Sequence, residues 1–146
     1  MIENLNPFQK RSSDELKELL SNVKTIAVIG CSSNPNRTSY HIAEYLMSAG
    51  FTIYPVNPNE SEVLGRQSYP SLDDLPENIS IDLIDIFRNK RYVDEVVEEI
   101  ISWSKDRGEK PVIWTQLDVS TDSAKELAEK NGFKYVENRC VMVEHR

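Results

Sequence analysis

The stretch Thr25-Ile26-Ala27-Val28-Ile29-Gly30-Cys31-Ser32-Ser33-Asn34-Pro35-Asn36-Arg37-Thr38-Ser39-Tyr40 decides the fold of this chain. An apolar run ends at Gly30, small hydroxyl and turn residues follow, and an amphipathic segment begins. That order predicts a strand, a loop and a helix, with the strand buried in a parallel sheet. Thr38 or Ser39 is expected to cap the helix, so that its first N–H groups face whatever lies over the loop. A turn of this kind receives anions, and the guanidinium of Arg37 matches the geometry of phosphate oxygens. The plain alternative is a strand-to-helix turn that holds no ligand.

Working outward, Ile42, Tyr45, Leu46 and Ala49 recur with the spacing of one helix face, and Gly50 stops that helix. Residues 51–56 read as a second strand, broken by Asn57-Pro58-Asn59. The next twenty or so residues are irregular apart from Ser71-Leu72-Asp73-Asp74-Leu75, a candidate helical turn capped by Ser71. Residues 81–87 form a third strand, with Arg88-Asn89-Lys90-Arg91 at its exit. A long helix then runs through Val93, Val96, Val97, Ile100 and Ile101 to Gly108. Residues 111–114 are a fourth strand. Ser120 or Thr121 caps a helix that ends at Asn131-Gly132, residues 133–136 are a fifth strand, and a basic-ended tail runs to Arg146. Upstream of the opening strand, residues 1–11 are a polar lead-in. Ser12 and Glu15 have capping-box spacing ahead of a short helix carrying Leu16, Leu19, Leu20 and Val23.

Alternating strands and helices call for an α/β fold: a doubly wound sheet of about five mainly parallel strands with helices on both faces, three layers in all. At 146 residues the chain has room for one buried core, and residues 1–146 are expected to form a single domain. In such a sheet the ligand lies beyond the C-terminal strand ends. The residues after each strand therefore carry the functional argument.

Composition removes several classes. A net charge of −7 speaks against a general nucleic-acid or membrane-surface binder. No apolar run reaches the roughly 20 residues that span a bilayer, and the opening Met1-Ile2-Glu3-Asn4-Leu5 lacks a signal-peptide pattern. A cytoplasmic location is expected. Two cysteines, Cys31 and Cys140, are too few for a disulfide framework and lack metal-ligand spacing, so both are read as reduced thiols with no metal.

A nicotinamide dinucleotide is disfavoured. Ser32 and Pro35 stand where the second and third glycines of Gly-x-Gly-x-x-Gly belong, and the second strand ends in Val56-Asn57-Pro58 with no acid for the ribose hydroxyls. No Gly-Lys-Ser/Thr follows Gly30, which excludes a Walker loop. No catalytic set emerges either. His41 is expected on a helix surface, His145 in solvent near the C-terminus, and Cys31 and Cys140 as buried or half-buried small hydrophobes. Asp94-Glu95 and Glu98-Glu99 read as a solvated helix face. Asp82 and Asp85, inside the third strand, are costly unless paired, and one of them is expected to meet an arginine. Phe87 and Arg88, a flat apolar ring beside a guanidinium plane, suit a nucleobase and its phosphate.

The ordered series Gly30-Cys31-Ser32, Pro35, Arg37, Ser39-Tyr40, residues 54–58, Leu64-Gly65, residues 69–72, residues 85–88, Trp114, Gln116 and residues 138–140 resembles the small stand-alone CoA-binding proteins. These are similar to the CoA-binding domain of the succinyl-CoA synthetase α subunit. The resemblance spans about residues 20 to 145. It implies a Rossmann-like domain that binds coenzyme A or an acyl-CoA without catalysis of its own. Carried over position by position, Gly30 to Tyr40 would hold the phosphates, with Ser32, Ser33, Arg37, Thr38 and Ser39 nearest. Val56, Asn57 and Pro58 would line the adenosine pocket, Phe87 and Arg88 would flank it, and Gln116 would lie towards the pantetheine arm. Two positions depart from the family pattern. Asn59 and Glu60 follow the Asn-Pro pair where a lysine is common, which removes a cation for the 3′-phosphate. Asp118 stands where a glycine is usual, and its side chain is expected to crowd the arm.

The implied partner is a small nucleotide cofactor; no nucleic acid, membrane or protein partner is indicated. Two other readings stay open: a subunit of an enzyme acting on CoA thioesters, and an NAD(P) or nucleotide-binding module.

Overall fold

The computed structural model describes residues 12–146, so the polar lead-in read over residues 1–11 lies outside the described residues. Helix α1 (Ser13–Ser21) starts at the expected capping box: Ser12 Oγ accepts the Glu15 N–H at 3.1 Å, and the Glu15 carboxylate accepts the Ser12 N–H at 3.2 Å. The remaining elements are β1 (Thr25–Ile29), α2 (Thr38–Ser48), β2 (Thr52–Val56), β3 (Glu62–Val63), β4 (Arg66–Gln67), β5 (Leu83–Ile86), α3 (Val93–Arg107), β6 (Val112–Thr115), α4 (Asp122–Lys130), β7 (Tyr135–Val136) and α5 (Val141–His145).

Five strands pair in parallel in the order β2-β1-β5-β6-β7. The chain moves outward from β1 to β2, then returns to place β5 on the other side of β1. The order thus reverses between β1 and β5, and the crevice where a doubly wound sheet takes its ligand opens there. Because successive side chains in a strand alternate faces, Ile26, Val28, Leu83 and Trp114 form one core with Leu16, Leu20, Ile42 and Leu46 from α1 and α2. Ala27, Ile29, Ile84, Ile86 and Ile113 form the other with Val96, Val97, Ile100 and Ala124 from α3 and α4. The result is the expected three-layer Rossmann-like α/β architecture.

Several local expectations are corrected. The tail folds as α5, which seats Val141 in the core. It also carries His145 to Tyr45, whose hydroxyl lies 2.7 Å from Nδ1, so this histidine is not merely solvated. The irregular stretch after β2 contains the small antiparallel β3–β4 ribbon, with Gly65 at φ +78° in its turn. Asp82 meets no arginine: Oδ2 accepts the N–H groups of Lys24 and Thr25 at 2.9 and 3.1 Å, tying the entry of β1 to the start of β5. Asp85 has no hydrogen-bond partner for either carboxyl oxygen among the described residues. Asp94 is not just a solvated charge, since it accepts hydrogen bonds from the hydroxyls of Thr121 and Ser123 and so joins α3 to the start of α4. Among the described residues no helix is long and apolar enough to cross a membrane.

Candidate functional site

Two glycine-dependent contacts build the crevice. At the end of β1, Gly30 donates its N–H to the Val56 carbonyl at 2.8 Å, and Phe87 N–H reaches the Ile29 carbonyl at 2.8 Å. This draws the loops after β1, β2 and β5 together. A Cβ on Gly30 would lie 2.1 Å from the Phe87 carbonyl oxygen, and φ there is +82°, so only glycine fits. Asn57 locks the same junction with its side chain: Nδ2 donates to the Cys31 carbonyl at 2.9 Å, and Oδ1 accepts the Asn59 N–H at 2.9 Å. Its amide is therefore spent on holding the loops in place.

Two cavities open from this junction and share Gly30, Arg37, Asn57 and Asn59 as walls. The one beside β2, about 860 Å³, has a mixed lining in which Val56, Pro58, Leu72 and Trp103 stand beside polar groups such as Arg88 and Asp73. Its outer wall exists because Tyr69 exchanges backbone hydrogen bonds with Pro55 and Asn57, which lays Pro70, Ser71 and Leu72 alongside the end of β2. Trp103 is only 3% exposed, and its indole N–H has no acceptor. The cavity beside β6, about 810 Å³, is lined by Ser32, Thr38, Ser39, Ile42, Phe87, Gln116 and Cys140 among others.

Arg37 stands between the two. It is exposed, makes no ion pair among the described residues, and occupies the N-cap of α2 without a side-chain cap. The expectation that Thr38 or Ser39 caps α2 is thus corrected. Ser39 lies two residues past the N-cap, and its hydroxyl instead accepts the Ser32 N–H at 3.0 Å, folding the loop onto the helix. The N–H groups of Thr38 and Ser39 keep no acceptor among the described residues, as the first turn of a helix leaves them.

Of the sequence-derived site residues, Gly30, Ser32, Arg37, Thr38, Ser39, Val56, Asn57, Pro58, Phe87, Arg88 and Gln116 line one or both cavities. Ser33 and Tyr40 line neither; Tyr40 packs against the α1–α2 core. Phe87 and Arg88 part company: Phe87 faces the β6 side and Arg88 the β2 side, where its guanidinium lies 4.9 Å from the Tyr92 ring. The two side chains line different cavities. Gln116 is 5% exposed and accepts the Val141 N–H through Oε1 at 3.2 Å, which anchors the start of α5. Asp118 is not among the residues that line the β6-side cavity. It adopts φ +62°, with its N–H on Asn138 Oδ1 at 3.1 Å, a left-handed turn that favours glycine. Sequence reasoning missed Tyr92, Trp103 and Cys140 as cavity residues. The first two come from α3 and the turn before it, whose apolar spacing reads as plain core.

Among the described residues no group of three or more His, Cys, Asp or Glu is placed to hold a metal ion. Cys31 is buried, and burial above all pushes its thiol up to about 12. His41 is exposed on α2, with its ring edge-on to Tyr40.

A doubly wound sheet with a helix N-terminus, and an arginine that makes no ion pair among the described residues, at its switch point places the protein in the Rossmann-like α/β class. Residues 24–146 match the CoA binding domain family, and the chain belongs to that family. It is 32% identical over 138 residues to the uncharacterized protein YneT of Bacillus subtilis, covering 94% of this chain and 97% of that one. It superposes on a hypothetical protein from Pyrococcus horikoshii with a TM-score of 0.84 at 35% identity, covering 99% and 96% of the two chains. It also matches the ADP-forming acetate–CoA ligase II of Archaeoglobus fulgidus at 28% identity over 122 residues, 76% of this chain but 17% of the ligase. The chain thus matches only part of a much longer enzyme.

Proposed function

We propose that the protein binds coenzyme A or an acyl-CoA across the two joined cavities and performs no catalysis of its own. The observation that carries the reading is Arg37, without an ion pair among the described residues and beside the open N–H groups of Thr38 and Ser39, at the meeting point of two cavities of mixed lining. CoA has that sequence of parts: a nucleoside, a diphosphate and an extended arm. The adenosine takes the β2 side, where Val56, Leu72 and Pro58 offer apolar walls. The diphosphate lies at Arg37 and the first turn of α2. The arm runs past Phe87 and Gln116 towards Cys140. Placement supports the reading without catalysis: Cys31 is buried with its thiol pushed up to about 12, and His145 is hydrogen-bonded to Tyr45 and lines neither cavity.

Isothermal titration with CoA, dephospho-CoA and NAD tests this reading. Saturable binding of CoA is expected, with NAD much weaker. Arg37→Ala is expected to weaken CoA about tenfold or more, since one charge-assisted phosphate contact is worth roughly 1.5–3 kcal/mol. No heat with either CoA form sinks the proposal.

A further inference from the structure

Glu60, at the rim of the β6-side cavity, is an acid inside a site otherwise suited to anions. Its carboxylate reaches across the loop after β1: Oε2 accepts the Ser33 N–H at 2.8 Å, and Oε1 accepts the Ser33 hydroxyl at 2.7 Å. Those two bonds hold the carboxyl below its ordinary range, so Glu60 is an anion at neutral pH. A backbone N–H and an adjacent hydroxyl offered together are the donors a phosphate oxygen takes in a strand-to-helix loop. Here a carboxylate from the protein already sits on them. The rest of the loop is also answered from within: Ser32 N–H by Ser39 Oγ, Asn34 N–H by Ser32 Oγ, and Asn36 N–H by Asn34 Oδ1.

We infer that Glu60 is an internal anion that occupies the Ser33 donor pair, restricting ligand phosphate to Arg37 and the first turn of α2 and lowering the affinity of the site for diphosphates. The inference rests on reading these cavities as a ligand site and adds a determinant of what that site accepts. A diphosphate seated at Arg37 shares the β6-side cavity with a like charge. A phosphate that reaches for Ser33 must first displace the carboxylate.

Inorganic pyrophosphate and CoA are titrated separately into the full-length wild-type chain, Glu60→Ala and Glu60→Gln, following the Ser33 backbone amide by 1H–15N NMR. Glu60→Ala removes both charge and acceptor; Glu60→Gln keeps an acceptor and guards against a collapsed loop. Pyrophosphate is expected to bind at least one variant about tenfold more tightly than wild type, the effect of removing one like charge near a partly solvated phosphate. The Ser33 amide is expected to shift on pyrophosphate addition in Glu60→Ala and to stay in place in wild type. Equal or weaker pyrophosphate binding by both variants, or no pyrophosphate binding by any of the three proteins, overturns the inference. If none of them binds CoA while the pyrophosphate gain is present, the CoA reading falls and the role of Glu60 stands.

Discussion

Asp85 is the residue whose chemistry is least like its surroundings. It sits mid-strand in β5, in register with Val28 and Trp114, fully buried and without a hydrogen-bond partner for either oxygen among the described residues. Burial alone pushes its carboxyl well above the usual carboxylate range. An unfolded aspartate titrates near about 3.9. The contribution of Asp85 to stability is therefore intact below that value and is lost as pH rises through its raised folded pKa. Asp85→Asn removes the titration. Denaturant unfolding at about pH 4 and about pH 8 should show the variant gaining on wild type by about 1 kcal/mol or more at the higher pH, one unit of pKa shift being worth about 1.4 kcal/mol. Parallel profiles for the two proteins would contradict this account.

The two cysteines separate at the same scale. Cys31 is fully buried with its thiol pushed up, whereas Cys140 is half-buried on the β6-side cavity. Since the thiolate is the reactive form, iodoacetamide at neutral pH should alkylate Cys140 and spare Cys31, as read by mass spectrometry of peptides. CoA should slow the reaction at Cys140 several-fold. Equal labelling of both thiols contradicts the assignment.

Among the elements, α3 does more than cover the sheet. Near its C-terminus the Arg107 guanidinium donates to the carbonyls of Leu75, Pro76, Glu77 and Ile79 at 2.9 to 3.3 Å and lies 5.1 Å from the Trp103 ring. It pins the segment that follows Leu72, a wall of the β2-side cavity, to the helix that carries Trp103. Arg107→Met should cost about 2 to 3 kcal/mol in denaturant unfolding, because several carbonyls lose a charged donor. A loss below about 0.5 kcal/mol would show that the segment holds itself.

What could be read from the sequence divides along these elements. The β1 run, the α2 and α3 periodicities and the Ser12–Glu15 box are local signals, and the structure follows them. The turn at Gly30 is legible too, although the Phe87 carbonyl that makes glycine necessary there comes from a distant strand end. The contacts that failed to show in advance are long-range. Asn57 bonds Cys31, 26 residues back, and Glu60 bonds Ser33 across 27. His145 meets Tyr45 across 100 residues. Alternation in β5 predicts that Asp85 is buried but cannot supply or deny a partner. Phe87 and Arg88 are neighbours in sequence and therefore leave the strand end on opposite sides, which pattern alone does not weigh.

For the whole molecule, strand order converts these local features into one site. Because β5 returns to the far side of β1, the loops after β1, β2 and β5 meet at Gly30, and the two cavities open on either side of that meeting. The central claim is that one ligand occupies both. An NMR titration of the labelled protein with CoA tests it most directly. In a single saturable process the account predicts shifts at Val56 and Leu72 on one side, Thr38 and Ser39 in the middle, and Gln116 and Cys140 on the other. Shifts confined to one cavity, or none at Thr38 and Ser39, would contradict it.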